Sequence, residues 1–194
     1  MIIGITGGTG CGKTTALNVI RDLGGIIIDC DAVYHVLLQT DKALLSAIET
    51  RFPGTVVNGA LERKKLGNIV FSHEEALKDL NKITHSAVKK KVEHILQGHS
   101  FAAIDAIELF DGGLAALCDV TVAVTAPEED RIARLTVRDS ISREQALLRI
   151  RAQKPESYFH EKCAFILENS GSQGDFYDKC LAFFHNLLII KENS

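Results

Sequence analysis

The sequence predicts an α/β fold, a parallel five-stranded sheet flanked by helices, and three observations carry that expectation. Short apolar runs rich in β-branched residues alternate with segments of helical period, the pattern of strand–helix–strand crossovers. A glycine-rich turn within GITGGTGCGKTT joins the first apolar run to the first helical segment. From about residue 31 to 99 the alternation lapses into consecutive helical segments, which reads as a helical insertion between the second and third strands.

In chain order, IIGIT (2–6) is a buried strand stopped by glycines, and helical period runs from Lys13 to about Asp22. GIIID (25–29) is the second strand. The insertion contains DAVYHVLLQ, KALLSAIETRF, RKKLGNIVF and HEEALKDLNKITHSAVKKKVEHILQ, with TVV (55–57) before the turn Asn58-Gly59 as its one strand candidate. AAID (102–105) and VTVAV (120–124) are strands three and four, and CAFIL (163–167) is the fifth. Between the last two lie PEEDRIARLTVRD and SREQALLRIRAQ, both helical in period. Pro127 suits a first helical turn, and Ser142 with Gln145 has the form of a capping box. DFYDKCLAFFHNLLII closes the chain as an amphipathic or largely buried helix. This organisation predicts one domain: a core over about 1–30 and 100–194, the insertion over about 31–99, and a lid over about 138–156.

Composition narrows the function. Lys plus Arg number 22 against 25 Asp plus Glu, a net charge of −3, which argues against a general nucleic-acid binder. No apolar run approaches the ~20 residues of a membrane helix. The start, MIIGITGG, lacks the basic and apolar regions of a secretory signal. Five cysteines without a CxxC pair fit reduced thiols and a cytoplasmic setting, and the seven histidines form no HExxH or Cys/His zinc pattern. Neither composition nor motif specifies an oligomeric state.

Gly7, Gly12, Lys13 and Thr14 satisfy G-x-x-x-x-G-K-[ST] between a strand and a helix, the context that a polyphosphate cradle requires. Glycines let backbone N–H groups turn inward, and the helix N-terminus adds unpaired donors and a favourable dipole. Lys13 would meet the β- and γ-phosphates, and the Thr14 hydroxyl would ligate Mg²⁺. An NKxD guanine motif is missing, since Asn81-Lys82 is followed by Ile83 and Thr84, which argues against a GTPase. Arg131, Arg134 and Arg138 share one helical face, and RDSISRE interrupts two helices as a flap does. Arg138, at the break, is the candidate to meet transferring phosphate. Asp29 and Asp31 follow the second strand, and Asp105 ends the third. An acid at the mouth of a parallel sheet faces the ligand crevice, where it can orient an acceptor hydroxyl or act as base. Asp31 could also be a helix N-cap before AVYHVLL. Cys11 lies in the loop leading to a helix N-terminus, a setting that can favour thiolate, and the alternative reading is a buried, inert thiol.

GITGGTGCGKTT, LGGIIIDCDAVYHVL, LERKKLGNIVF, LNKITH, VRDSISREQALLRIRAQ and ILENSG occur in an order that resembles the dephospho-CoA kinases, over about residues 2–185. The resemblance implies a P-loop, nucleoside-kinase-like α/β fold with a helical substrate lobe and a lid. It also implies transfer of the ATP γ-phosphate to the ribose 3′-hydroxyl of dephospho-CoA, with Mg²⁺ accompanying ATP. It places the catalytic carboxylate at Asp31, beside Lys13 and Arg138. Nucleotide would contact Gly8, Thr9, Gly10, Cys11, Gly12, Lys13, Thr14 and Thr15, with Asn169 and Gly171 bordering the base. Thr14 would hold the metal, and Asp29 or Asp105 would reach it through water. The implied partners are ATP and dephospho-CoA, without nucleic acid or membrane. The competing readings are another small-molecule or nucleoside-phosphate kinase, or a nucleotide-binding regulatory protein. The chain departs from the family pattern at three places. Ser86 replaces the proline after His85, Cys11 stands where serine is common, and DAIELFDGG replaces a D-x-P-L-L pattern from Asp105.

Overall fold

A computed structural model describes residues 1–192. Strand β1 (Ile2–Thr6) leads through the glycine loop into α1 (Lys13–Asp22) and returns as β2 (Ile26–Asp29). Helices α2 (Cys30–Thr40) and α3 (Lys42–Arg51), the hairpin β3 (Val56–Val57) and β4 (Ala60–Leu61), and helices α4 (Arg63–Val70) and α5 (Glu74–Leu96) form the insertion. The core resumes with β5 (Ala102–Asp105), a 3-10 turn over Ala115–Leu117 and β6 (Val120–Thr125). Helices α6 (Glu128–Asp139), α7 (Arg143–Arg151) and α8 (Glu156–Lys162) precede β7 (Phe165–Glu168) and α9 (Gln173–Glu192).

The five long strands are parallel in the order β2-β5-β1-β6-β7. Both faces are covered, so the strands carry unbroken apolar runs: Ile3, Ile5, Ile104, Val122 and Val124 are fully buried. On one face α1 and α9 supply Val19, Ile20, Phe176, Cys180 and Phe184. On the other, Leu109 packs with Leu37, Leu38, Ile48, Phe52 and Val92 of the insertion, so the helical lobe shares the core of the sheet. Burying each such side chain contributes about 1.5–3 kcal/mol. Ile132, Leu135, Ala146 and Ile150 form a separate small core that holds α6 against α7.

Several boundaries differ from the sequence reading. The fifth strand starts at Phe165 because Pro155 opens a short helix, α8, whose last turn is closed by the Cys163 N–H on the Phe159 carbonyl at 2.9 Å. Strand β2 starts at Ile26, because the Gly25 N–H bonds the Ile20 carbonyl at the end of α1. Pro127 is the N-cap of α6 rather than its first helical residue. The strand candidate near 55–57 is half of a real hairpin. Asn58 and Gly59 take φ of 52° and 77°, the doubly positive turn that suits the strand twist. The capping box is present as read: the Ser142 hydroxyl accepts from the Gln145 N–H, and the Gln145 side chain accepts from the Ser142 N–H.

All five cysteines are free thiols. Among the described residues no helix is long and apolar enough to cross a membrane.

Candidate active site

The glycine loop leaves β1 at the carboxyl edge of the sheet, between neighbours β5 and β6. Gly7 takes φ 133°, and a Cβ there would strike the Val124 carbonyl of β6. Gly12, the N-cap of α1, takes φ 95°, a left-handed conformation that glycine adopts without strain. The loop is held from outside by its carbonyls. Arg131 Nε donates to Thr9 O at 2.9 Å, and Arg134 Nη1 donates to Gly10 O at 3.2 Å and Cys11 O at 3.4 Å. Asn169 Nδ2 donates to Cys11 O at 2.8 Å, and the Thr9 N–H donates to Gln153 Oε1 at 2.7 Å. With the carbonyls engaged outward, the N–H groups of Gly10, Gly12, Lys13 and Thr14 have no partner among the described residues. They are unpaired donors at a helix N-terminus, an arrangement able to take an anion.

This bracing revises the reading of the arginine face. Arg131 and Arg134 hold the loop's backbone, while Arg138 lines the open cavity beside Lys13 and Thr14. Arg138 forms a two-pronged pair with Asp139, Nε to Oδ1 at 2.7 Å and Nη2 to Oδ2 at 3.0 Å, and Arg149 shares Oδ2 at 2.7 Å. Ser140 follows with φ 52° and ψ 42°, so the break between α6 and α7 is a left-handed turn. Gln153 gave no signal of its own in the sequence beyond its place at the end of RIRAQ.

Lys13 Nζ donates to Gly7 O at 3.1 Å and lines the same cavity as Thr14, Gly8, Thr9 and Asp105. Thr14 is exposed there, and Thr15 donates its N–H to Gly12 O at 3.0 Å. Asn169 is 5% exposed with its Oδ1 unpaired, so it buttresses the loop from below. Gly171 is exposed with φ 118°. Of the two readings of Cys11, the buried, inert thiol is the one observed. Burial pushes its thiol up, outweighing Arg131 and Lys13, so the helix terminus does not favour a thiolate here.

The acids are brought together by strand register. Asp29 ends β2 directly opposite Asp105 at the end of β5. Asp29 is the N-cap of α2, accepting from the Ala32 N–H at 3.0 Å. Asp31 therefore is not the cap: it stands exposed in the first turn and lines a second cavity. Burial raises the Asp105 carboxyl above its ordinary range. Lys13 opposes that shift, and Asp29 and Asp31 add to it.

The second cavity, about 350 Å³, lies between α2, α5 and the loop after β5, and Asp31, Tyr34, Leu80, Val88 and Leu114 line it. Its size is in the ~300–1,000 Å³ range of small-molecule sites. Ile107 borders both this cavity and the one at the glycine loop, so the two adjoin. The divergent segment DAIELFDGG forms part of the wall. Its Glu108 Oε2 pairs with His85 Nε2 at 3.0 Å, and Asp111 pairs with Lys154 at 3.0 Å and accepts from the Tyr158 hydroxyl at 3.1 Å.

Comparison with known proteins gives this geometry a family context. Residues 1–175 match the family model described as dephospho-CoA kinase. The dephospho-CoA kinase of Dehalococcoides mccartyi is 36% identical over 176 residues, covering 87% of this chain and 88% of that protein. That of Thermus thermophilus is 34% identical over 177 residues, covering 90% and 86%. A crystal structure from Thermus thermophilus superposes with a TM-score of 0.78 at 33% identity, covering 96% of this chain and 97% of that one. Dephospho-CoA kinase from Campylobacter jejuni gives 0.59 at 28% identity, covering 95% and 96%. A shikimate kinase from Bacteroides thetaiotaomicron, 16% identical with a TM-score of 0.56 over 97% of this chain and 98% of that one, shares the fold alone.

Proposed function

The chain belongs to the dephospho-CoA kinase family, and from that premise we propose that it moves the ATP γ-phosphate to the ribose 3′-hydroxyl of dephospho-CoA. The products are CoA and ADP, the last step of CoA biosynthesis. The observation that carries the reading is the junction of two cavities. One is lined by the glycine loop and Lys13, the other by Asp31 and apolar side chains.

ATP lies with its phosphates on the inward N–H groups of the loop and on Lys13. The acceptor hydroxyl meets Asp31, which orients it and takes its proton as the bond to phosphorus forms. Arg138 exchanges its pairing with Asp139 for the equatorial oxygens of the transferring phosphoryl group, where its planar fork bridges two of them. Arg131, Arg134 and Gln153 act at one remove, by fixing which way the loop's amides point. Asn169 supports the loop from below, and Gly171 lies in the segment that follows it, the side on which the base would be bordered.

The residues present fit magnesium, a hard cation that takes oxygen donors and keeps bound water. Thr14 supplies a hydroxyl and Asp105 a carboxylate in one cavity, and Asp105 already sits under an electrostatic load that a cation would relieve. Asp105 suits the water-mediated role better than Asp29, one of whose oxygens caps α2. When bound, magnesium neutralises charge on the β- and γ-phosphates. Five free thiols favour a reducing compartment such as the cytoplasm.

A coupled ADP-release assay over a panel of acceptors tests this reading. ADP and CoA formation that depends on dephospho-CoA supports it. Turnover with a different acceptor identifies another small-molecule kinase, and nucleotide binding without turnover identifies a regulatory protein.

A further inference from the structure

The acceptor cavity carries a charge pattern of its own. Its carboxylates are Asp31 and Glu108 and its one imidazole is His85, with Tyr34, Asn81 and Thr84 as the other polar groups beside apolar Val88 and Leu114. Two carboxylates against one imidazole make a poor home for the acceptor's diphosphate. They suit a neutral, flat base whose edge donates hydrogen bonds. A ribose hydroxyl held at Asp31 leaves the base it carries inside this same cavity.

Glu108 is built into place. Leu109 beside it is fully buried, the Gly112 N–H bonds the Glu108 carbonyl at 2.8 Å, and the Leu114 N–H bonds the Leu109 carbonyl at 3.0 Å. His85, reaching from α5, takes Oε2 at 3.0 Å. The remaining carboxylate oxygen, Oε1, has no hydrogen-bond partner among the described residues. The turn and the imidazole therefore fix one open acceptor in the cavity wall. The His85 pairing also holds this carboxylate below its ordinary range, so it stays charged at neutral pH.

We propose that Glu108 accepts a hydrogen bond from the 6-amino group of the acceptor's adenine, with His85 as its positioning residue, so that this pair selects the acceptor base. The inference rests on the proposed acceptor reading and deepens it. Spacing along the chain gives no hint of the pair. His85 lies on a helix of the insertion and Glu108 follows β5, and only the packing of the lobe on the sheet joins them.

The test compares dephospho-CoA with an analogue that has hydrogen in place of the 6-amino group, at saturating Mg·ATP. The wild-type enzyme should prefer dephospho-CoA by roughly 10–100-fold in kcat/KM, the range of a hydrogen bond to a charged partner. Glu108→Ala should bring that ratio to within about 2-fold, and Glu108→Gln, which keeps a neutral acceptor, should fall between. The KM for ATP should stay constant in both. Substituting His85→Ala should lower the ratio less than Glu108→Ala does. A wild-type ratio near one overturns the proposal without any variant, which covers the case of a variant that does not fold. A high ratio that persists in Glu108→Ala also overturns it, while leaving the kinase reading intact. An enzyme that phosphorylates neither compound would overturn the functional reading and this inference with it.

Discussion

Replacing Asp31 with asparagine separates its chemistry from its place in the fold. Asp31 lies in the first turn of α2, but the cap of that helix is Asp29. The substitution therefore leaves the cap intact and removes one charge near a helix N-terminus, an interaction worth about 0.3–1 kcal/mol at the surface. For a domain of this size that lowers Tm by about 4 °C at most. The chemical loss belongs to a different scale. An amide cannot take the hydroxyl proton as a carboxylate does, and loss of a general base slows transfer by about 10²–10⁴-fold. Asp29→Ala should show the converse pattern: loss of the cap lowers stability by about 0.5–2 kcal/mol, and transfer stays within about 10-fold of wild type. Rapid-quench transfer with both substrates saturating, beside calorimetric melts of each variant, reads both quantities. Wild-type transfer by Asp31→Asn would sink the mechanism. Equal losses of rate and stability in the two variants would show that the carboxylates act together rather than in divided roles.

Four further outcomes follow from the same geometry. Lys13→Ala should cut kcat by about 10²–10³-fold, as loss of a transition-state donor does, with little change in Tm; near-normal turnover at saturating Mg·ATP would remove Lys13 from the mechanism. Arg138→Lys should slow single-turnover transfer by at least about 10-fold although the charge remains, because an ammonium cannot bridge two oxygens as the fork now bridges Asp139; equal rates would refute this. Asp105→Asn should raise Tm at pH 7 while lowering activity. The buried carboxyl has a raised pKa, so the folded chain holds that proton more tightly than the unfolded chain, and this stabilisation is full at low pH and lost as pH rises through the folded value; a Tm gain that failed to shrink toward about pH 4 would contradict the assignment. Cys11, buried with its thiol pushed up, should alkylate more slowly than an exposed thiol, and mapping the fastest-modified cysteine by mass spectrometry checks this.

The sheet was legible in the sequence because its strands are buried on both faces, so IIGIT, AAID and VTVAV appear as unbroken apolar runs. Helix α8 was not, because seven residues, ESYFHEK, are too few to display a period, and only Phe159 among them is buried. The phosphate loop was legible because its chemistry is local in sequence. The arginine face was half legible: spacing of three and seven put Arg131, Arg134 and Arg138 on one side of α6, yet spacing does not say what lies opposite. Arg131 and Arg134 donate to the loop's carbonyls, whereas Arg138, one turn further, makes no such bond and, like part of Arg134, lines the open cavity. The His85–Glu108 pair was invisible for the opposite reason, since it depends on how the insertion closes over β5.

Carboxylates beside a polyphosphate site look like an electrostatic error until the register is considered. Parallel pairing of β2 with β5 sets Asp29 against Asp105, and α2, starting at once, carries Asp31 to the same edge. Each acid then acquires a different task from its surroundings. Asp29 turns to the backbone and starts the helix, Asp105 sits half-buried beside Lys13, and Asp31 opens on the acceptor cavity. Folding alone would favour removing Asp105, whose burial penalises its charge, and it stands beside Lys13 in the cavity of the glycine loop, where the proposed reaction would place magnesium. In the proposed reaction, the repulsion that two of these acids would exert on ATP would be offset by Lys13, by the inward amides and by magnesium bound with the nucleotide. What remains is a gradient: positive at the loop, negative at Asp31. In the proposed reaction phosphate would lie at the positive side of the junction, and the acceptor hydroxyl would donate its hydrogen bond to Asp31 at the other.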